Sequence, residues 1–395
     1  MTYPLAASLL ILSLASTGCA HLIEWGWDEP DQVFLKTHVA MMERKPFDGV
    51  VLHLTVPGIS ADLANFSWHV ADHRYRWEDL RPAVEELRAV PFRRFRHNFL
   101  RINLNSTDRP PDLLDDAAWE TVLANLRLAG RIARDGGLRG FMVDPEAYAA
   151  RDPEDGRPRL NVFDYDRRAV REASFGVYRS AALRRGRESA AILGDAAPDL
   201  ALLFAFAYSF PCYSSKPEEN QAYGLLPAFI DGILMAKPKG LVVVEGHEPS
   251  YPYRYCHQFQ EAYRRLRTEC RRLSSVPQRY NDELRIGFGI WMDNESAQRC
   301  ATYRAEAKPC PWADPTLYPE EARHRVDPRL FGEAVASALD LTDGYVWLYS
   351  EEPKWWTSAR PDGDNLPAEF VQAIEQARGT AIARRGSICP KPTAD

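Results

Sequence analysis

The chain has 395 residues, 45% of them hydrophobic and 26% charged, which is enough for one large or two ordinary domains with a real core and excludes a disordered chain. Its formal charge of -6 gives no electrostatic reason to expect a polyanionic partner, so nucleic acid is excluded as an expected ligand. Ten Trp and seventeen Tyr suit sugar or aryl stacking and suit a large core equally well.

Residues Pro4 to Ala15 form a short apolar run followed by Ser16-Thr17-Gly18-Cys19, which resembles a bacterial lipoprotein signal with its lipidated cysteine. The expectation is a signal peptide over 1–18 and one domain over 20–395. The product would be exported to the periplasm or cell surface, with membrane contact only through a lipid on Cys19. The six remaining cysteines permit disulfides in an oxidising compartment, Cys300 with Cys310 being the simplest pairing.

After the leader, short apolar segments alternate with longer amphipathic ones. The expected strands are Leu22 to Trp27, Asp48 to Thr55, Asn98 to Leu104, Leu138 to Asp144, Leu200 to Tyr208, Gly240 to Glu245, Leu284 to Asp293 and Gly344 to Ser350. The expected helices are Asp31 to Arg44, Trp77 to Val90, Asp115 to Arg134, Arg167 to Leu193, Gln221 to Ala236, Tyr253 to Leu273, Pro328 to Leu339 and Ala368 to Arg384. Eight strand-helix units predict an α/β fold, a single (β/α)8 TIM barrel with long βα loops gathered at the carboxyl ends of its strands.

Side chains alternate along a strand, so the run Gly140-Phe141-Met142-Val143-Asp144-Pro145-Glu146 sends Asp144 and Glu146 out by the same face at the strand tip. Glu245, directly after the apolar Leu241 to Val244, is a second candidate, and Asp293 a third. On parity, Arg101 and Asn103 point into the barrel from strand three, with a Glu24–Arg101 ion pair as the structural reading of that arginine. Strand seven points Trp291 inward and strand eight points Trp347 and Tyr349 inward, with Glu351 following. Asp28 before Glu29-Pro30 reads as a helix N-cap.

Hydrolysis of a glycosidic bond needs one protonated carboxyl and one ionised carboxylate. Glu146 is expected as general acid with Asp144 beside it, and Glu245 or Asp293 as the second carboxylate. Substrate contacts are expected from Trp27, His53, Trp68, Arg101, Asn103, Tyr148, Tyr208, His247, Trp291, Trp347, Tyr349, Glu351 and Trp355. Loop two adds Phe66, His69 and Tyr75 to Trp68 as a stacking wall. The expected function is cleavage of a poly- or oligosaccharide, with a carbohydrate as the partner. The alternative is a non-catalytic surface carbohydrate-binding barrel that keeps the aromatic groove.

The segment Phe141-Met142-Val143-Asp144-Pro145-Glu146 resembles the strand-four DxE ending of the chitinase-like clan of barrel glycoside hydrolases. The resemblance implies an acid role for Glu146 and a substrate-positioning role for Asp144. Two earlier aspartates of that motif stand here as Arg139 and Met142, so N-acetylated substrates are not implied. No cofactor or metal is expected: strand one lacks the histidines of a metal-dependent barrel hydrolase, and no Gly-rich phosphate loop or GxSxG elbow is present.

Overall fold

Among the described residues, nine strands pair in parallel throughout a single sheet: β1 (His21–Glu24), β2 (Gly49–Leu52), β3 (Phe99–Asn103), β4 (Gly140–Asp144), β5 (Ala201–Phe204), β6 (Val242–Glu245), β7 (Leu284–Ile286), β8 (Phe288–Trp291) and β9 (Tyr345–Tyr349). The computed structural model describes residues 20–105, 110–148, 161–165, 173–294, 326–351, 353–363, 366–383 and 391. The leader, Cys19, Cys300 and Cys310 lie outside the described residues.

The sheet order is β7-β6-β5-β4-β3-β2-β1-β9-β8, and its two ends are consecutive pieces of one chain segment. The run read as a single seventh strand, Leu284 to Asp293, breaks at Gly287: β7 pairs with β6, and β8 pairs with β9. The barrel is thereby nearly closed. Gly287 donates its N–H to Glu245 O at 2.7 Å, and a Cβ there would stand 2.7 Å from Tyr345 O, so the crossing point has no room for a side chain.

Ten helices among the described residues follow the chain around the sheet: α1 (Gln32–Met42), α2 (Trp77–Arg88), α3 (Asp116–Asp135), α4 (Phe175–Ala196), α5 (Ser209–Tyr213), α6 (Leu226–Ala236), α7 (Cys256–Thr268), α8 (Pro277–Glu283), α9 (Pro328–Leu341) and α10 (Ala368–Ala383). Their inward faces follow from sequence spacing. In α3 the buried set Trp119, Val122, Leu126, Ala129 and Ala133 recurs every three or four residues, which lays one stripe against the sheet. Asp115 caps α3 by accepting from Ala118 N at 3.0 Å. No helix among the described residues is long and apolar enough to cross a membrane.

Two expectations for the barrel interior are corrected. The N-cap of α1 is Asp31, which accepts from Phe34 N at 2.8 Å, because the chain from Asp28 to Pro30 turns inward before the helix starts. Asp28 accordingly faces Glu24, not a helix end, and accepts from Trp355 N at 2.6 Å. Arg101 then pairs with Glu29, not Glu24, at 2.6 Å.

The helices α5 and α8 were not expected. The former arises because β5 stops at Phe204, four residues before the apolar run does, and the chain then bends away from the sheet. A disulfide joins Cys212 in α5 to Cys270, just beyond α7, across 58 residues of sequence. Cys256 is also disulfide-bonded.

Candidate active site

A cavity of about 410 Å³ opens where the carboxyl ends of the strands converge. Trp25, Trp27 and Glu29 reach it from the end of β1, His53 and the loop residues Asn65 and Trp68 from β2, Arg101 from β3, and Asp144, Glu146 and Tyr148 from β4. Glu248 and Tyr251 enter after β6, Trp291 at the end of β8, and Tyr349 and Glu351 at the end of β9. Acids far apart in the chain therefore meet at one mouth.

Asp144 and Glu146 line this cavity together, as strand alternation requires. Glu146 N donates to Asp144 Oδ1 at 3.0 Å, which locks the two into a tight turn. The peptide between them is clamped by amides: Asn103 donates to Glu146 O at 3.0 Å, while Asn105 and Asn161 both donate to Pro145 O, at 2.9 and 2.6 Å. Burial of this backbone needs such partners, and the three asparagines supply them. Tyr148 Oη donates to Glu146 Oε2 at 2.8 Å.

Glu146 acts on both of the other central acids. Burial, then the neighbouring Glu146 charge, pushes the Asp144 carboxyl up to about 7, opposed by Arg101. Burial also raises Glu146, and the Tyr148 hydroxyl works against that rise. Glu248 is raised well above the ordinary glutamate range, first by burial and then by Glu146 and Asp144. Three carboxyls at one cavity cannot all ionise near neutral pH, so protons are retained among them.

Beside these acids, on the neighbouring strand β3, stands a buried cation. Arg101 is bound to Glu29, its guanidinium lies 4.2 Å from the centre of the Trp68 ring, and His53 Nδ1 stands 3.3 Å from Glu29 Oε1. Burial raises the Glu29 carboxyl, but Arg101 and His53 outweigh it and hold Glu29 below its ordinary range. Tyr148 is gripped edge-on between Trp27 and Trp68, with ring centroids at 5.9 and 5.3 Å. On the far wall Tyr251 stacks on Tyr349 at 5.6 Å and meets Trp291 edge-on at 5.4 Å. The result is an aromatic-walled cleft with carboxyls at its centre.

Several expected site residues do not line the cavity. Glu245 is fully buried: its Oε2 accepts from the N–H groups of Ala207, Tyr208 and Ser209, and its Oε1 from Ser209 Oγ and His247 N. Glu245 holds the β5 and β6 exits together, and Glu248, three residues on, is the acid that reaches the cleft. Asp293 is 1% exposed, and its Oδ1 accepts from Trp291 Nε1 at 2.7 Å and Glu351 N at 3.0 Å, so it orients two lining residues from behind.

The same correction applies to five expected contacts. Asn103 works through the Glu146 backbone. Tyr208 is buried against Asp231 at 2.7 Å. His247 is buried in a left-handed conformation (φ 47°), with its imidazole pushed down to about 3 by burial and then by Arg265. Trp347 donates to Gly246 O at 2.9 Å and supports Trp25 and Tyr251 from below. Trp355 is buried edge-on against Phe47. In loop two, Trp68 reaches the cavity, whereas Phe66 and Tyr75 are buried and His69 meets Asp72 at 3.1 Å.

Sequence reasoning missed Trp25, Glu29, Asn65, Glu248 and Tyr251 as lining residues. Glu248 carried a signal, since Glu248-Pro249 comes only three residues after Glu245, the last residue of β6. Among the described residues, no group of three or more His, Cys, Asp or Glu side chains could hold a metal ion.

No family model matches the chain, and no curated protein does. Among solved structures it is similar to a GH5-4 broad specificity endoglucanase from an uncultured bacterium, at 12% identity and a TM-score of 0.45, over 89% of this chain and 86% of that one. It is also similar to a glucosidase from Croceicoccus marinus, at 11% identity and a TM-score of 0.44, over 92% and 68% of the two chains. A third is an alpha-amylase from Geobacillus thermoleovorans, at 10% identity and a TM-score of 0.42, over 92% and 79%. Likeness at this level carries no residue correspondence, so the functional reading rests on the cleft itself.

Proposed function

We propose that the chain is a glycoside hydrolase that cleaves a poly- or oligosaccharide at the carboxyl face of its barrel, with Glu248 as general acid and Glu146 as the ionised partner. The observation that carries this reading is that Glu146 and Glu248, brought by β4 and β6, line one aromatic-walled cleft, where the Glu146 charge helps to raise the Glu248 carboxyl. Their surroundings separate their roles. Glu146 accepts a hydrogen bond from Tyr148, which favours its charge, whereas Glu248 is pressed towards the protonated form by burial and then by Glu146, Asp144 and Glu245.

In this reading Glu248 gives its proton to the leaving oxygen as the glycosidic bond breaks. Glu146 supplies charge at the anomeric carbon, either directly or by taking a proton from an attacking water. Asp144 keeps a proton near its partner and limits the charge gathered there. Trp27, Trp68, Trp291 and Tyr349 offer ring faces and edges for pyranose contact. The Cys212–Cys270 disulfide fits an oxidising compartment, in keeping with export to the periplasm or surface behind a leader over 1–18 that is removed before Cys19.

The test is a reducing-sugar screen of the full chain, followed by two variants on the best aryl glycoside. Glu248→Gln should retain cleavage of a dinitrophenyl glycoside, whose leaving group needs no proton, and lose that of an alkyl glycoside. Glu146→Ala should lose both and be rescued by azide. The opposite pattern would exchange the roles. Binding of glycans with no release of reducing ends would replace the enzyme by a carbohydrate-binding barrel.

A further inference from the structure

A second cavity, about 330 Å³ in volume, adjoins the first behind Trp27. The two share Trp27, Glu29 and His53 as a common wall. Each lies within or near the ~300–1,000 Å³ range of small-molecule sites, so each can hold part of a longer ligand. Trp27 is 56% exposed, an unusual state for a large apolar ring, and it meets the Tyr148 ring edge-on at 5.9 Å. An indole packed edge-on against Tyr148 and left open between two cavities is suited to stack a ring passing from one to the other.

The far side of the second cavity has matching chemistry. Phe34 adds an aromatic ring, Thr357 and Ser358 lie beside it, and Lys354 and Asp31 bring one charge of each sign. Across the two cavities the acids Glu29, Asp31, Glu146 and Glu351 face Arg101 and Lys354, and Arg101 is already committed to Glu29. An added carboxylate or sulfate on the substrate would meet like charge in a partly desolvated cleft.

We propose that the second cavity is a remote subsite for the same substrate: an uncharged oligosaccharide whose scissile bond lies over Glu146 and Glu248 runs across Trp27 and places a further sugar between Phe34, Lys354 and Ser358. This rests on the hydrolase reading. Binding at the remote cavity would be spent on holding the bond in place, so catalytic efficiency should rise with chain length.

The experiment compares kcat/KM for neutral gluco-, manno-, xylo- and galacto-oligosaccharides of two to six units with that for the aryl monoglycoside of the preferred sugar. In the wild type the longer substrates should exceed the shortest by about tenfold or more, equivalent to about 1.4 kcal/mol. Ser358→Trp, which fills the second cavity, and Phe34→Ala should bring that ratio close to one. A ratio that survives both variants, or a wild type indifferent to length, overturns the subsite. If no substrate is cleaved, the hydrolase reading fails separately. The subsite is then read by calorimetric binding of the same oligosaccharides, where Ser358→Trp should weaken the longer ones about tenfold, and equal affinities or no binding overturn it.

Discussion

The hydroxyl of Tyr148 donates to Glu146 Oε2 at 2.8 Å, and both side chains line the same cleft. That bond opposes the burial that raises the Glu146 carboxyl, so removing it should raise the carboxyl further. In Tyr148→Phe the acid limb of the kcat/KM profile, where Glu146 must ionise, is expected to move to higher pH, with about a tenfold loss of activity at the wild-type optimum. A limb that stays in place would show that Glu146 is not the ionised partner.

Asp144 titrates near 7 because it is buried beside Glu146. Asp144→Asn keeps an oxygen for the Glu146 N–H but fixes the neutral state. The substitution should delete an ionisation near pH 7 from the titration of the free enzyme. The check is proton uptake on titrating the variant against the wild type. An unchanged titration near neutrality would place that proton elsewhere.

Much of this cluster was legible because alternation belongs to strands. Asp144 and Glu146 share a face, and Arg101, Trp291 and Tyr349 point into the cleft, as period-two reading requires. The reading failed where pairing stops. β5 ends at Phe204, so Tyr208 follows a bend and not the pleat, and beyond β6 the left-handed His247 swings Glu248 into the space expected for Glu245. Apolar runs do not mark where hydrogen bonding to the next strand ceases. The break at Gly287 was likewise hidden within one strand-like pattern, although glycine stands at the break itself. Trp347 and Trp355 show the other limit: composition supplies aromatics but does not say which lie one layer beneath the surface of the cleft.

Glu24 and Asp28 face each other with their carboxyls shielded from water, and both are raised, Glu24 chiefly by burial and then by Asp28. The folded state therefore holds a proton that the unfolded chain releases above the ordinary glutamate value of 4.5. The sign follows: stability declines as pH rises from there towards the folded-state value, by up to about 1.4 kcal/mol per pH unit for one retained proton. Glu24→Gln should flatten this decline by up to that amount. Denaturant melts of both proteins between pH 5 and 8 measure it, and parallel curves would refute the shared proton.

The Cys212–Cys270 bond closes a loop of 58 residues between α5 and the turn after α7. Cross-linking a loop of that length restricts the unfolded chain by about 4 kcal/mol on the loop-entropy account, with measured values commonly about 2–4. Cys212→Ser is expected to lose stability in that range in denaturant unfolding, while the cleft residues on β1 to β4 remain in place. Loss below about 0.5 kcal/mol would mean that the loop is already restrained without the bond.

Glu245 offers the sharpest contrast between a catalytic and a structural acid. Its carboxylate receives four backbone N–H groups and the Ser209 hydroxyl, all from segments leaving β5 and β6, and no part of the side chain is exposed. Substitution by Gln places an amide NH2 where an acceptor is required, leaving at least one buried donor unsatisfied at about 1–3 kcal/mol. Because Glu248 follows from the same turn, some loosening of the cleft should accompany this loss. The expected outcome for Glu245→Gln is a fall of about 2–4 kcal/mol in unfolding free energy, with kcat at low temperature within about tenfold of wild type and no change in leaving-group dependence. A variant of full stability that had lost cleavage by several orders of magnitude would return Glu245 to the chemistry and remove Glu248 from it.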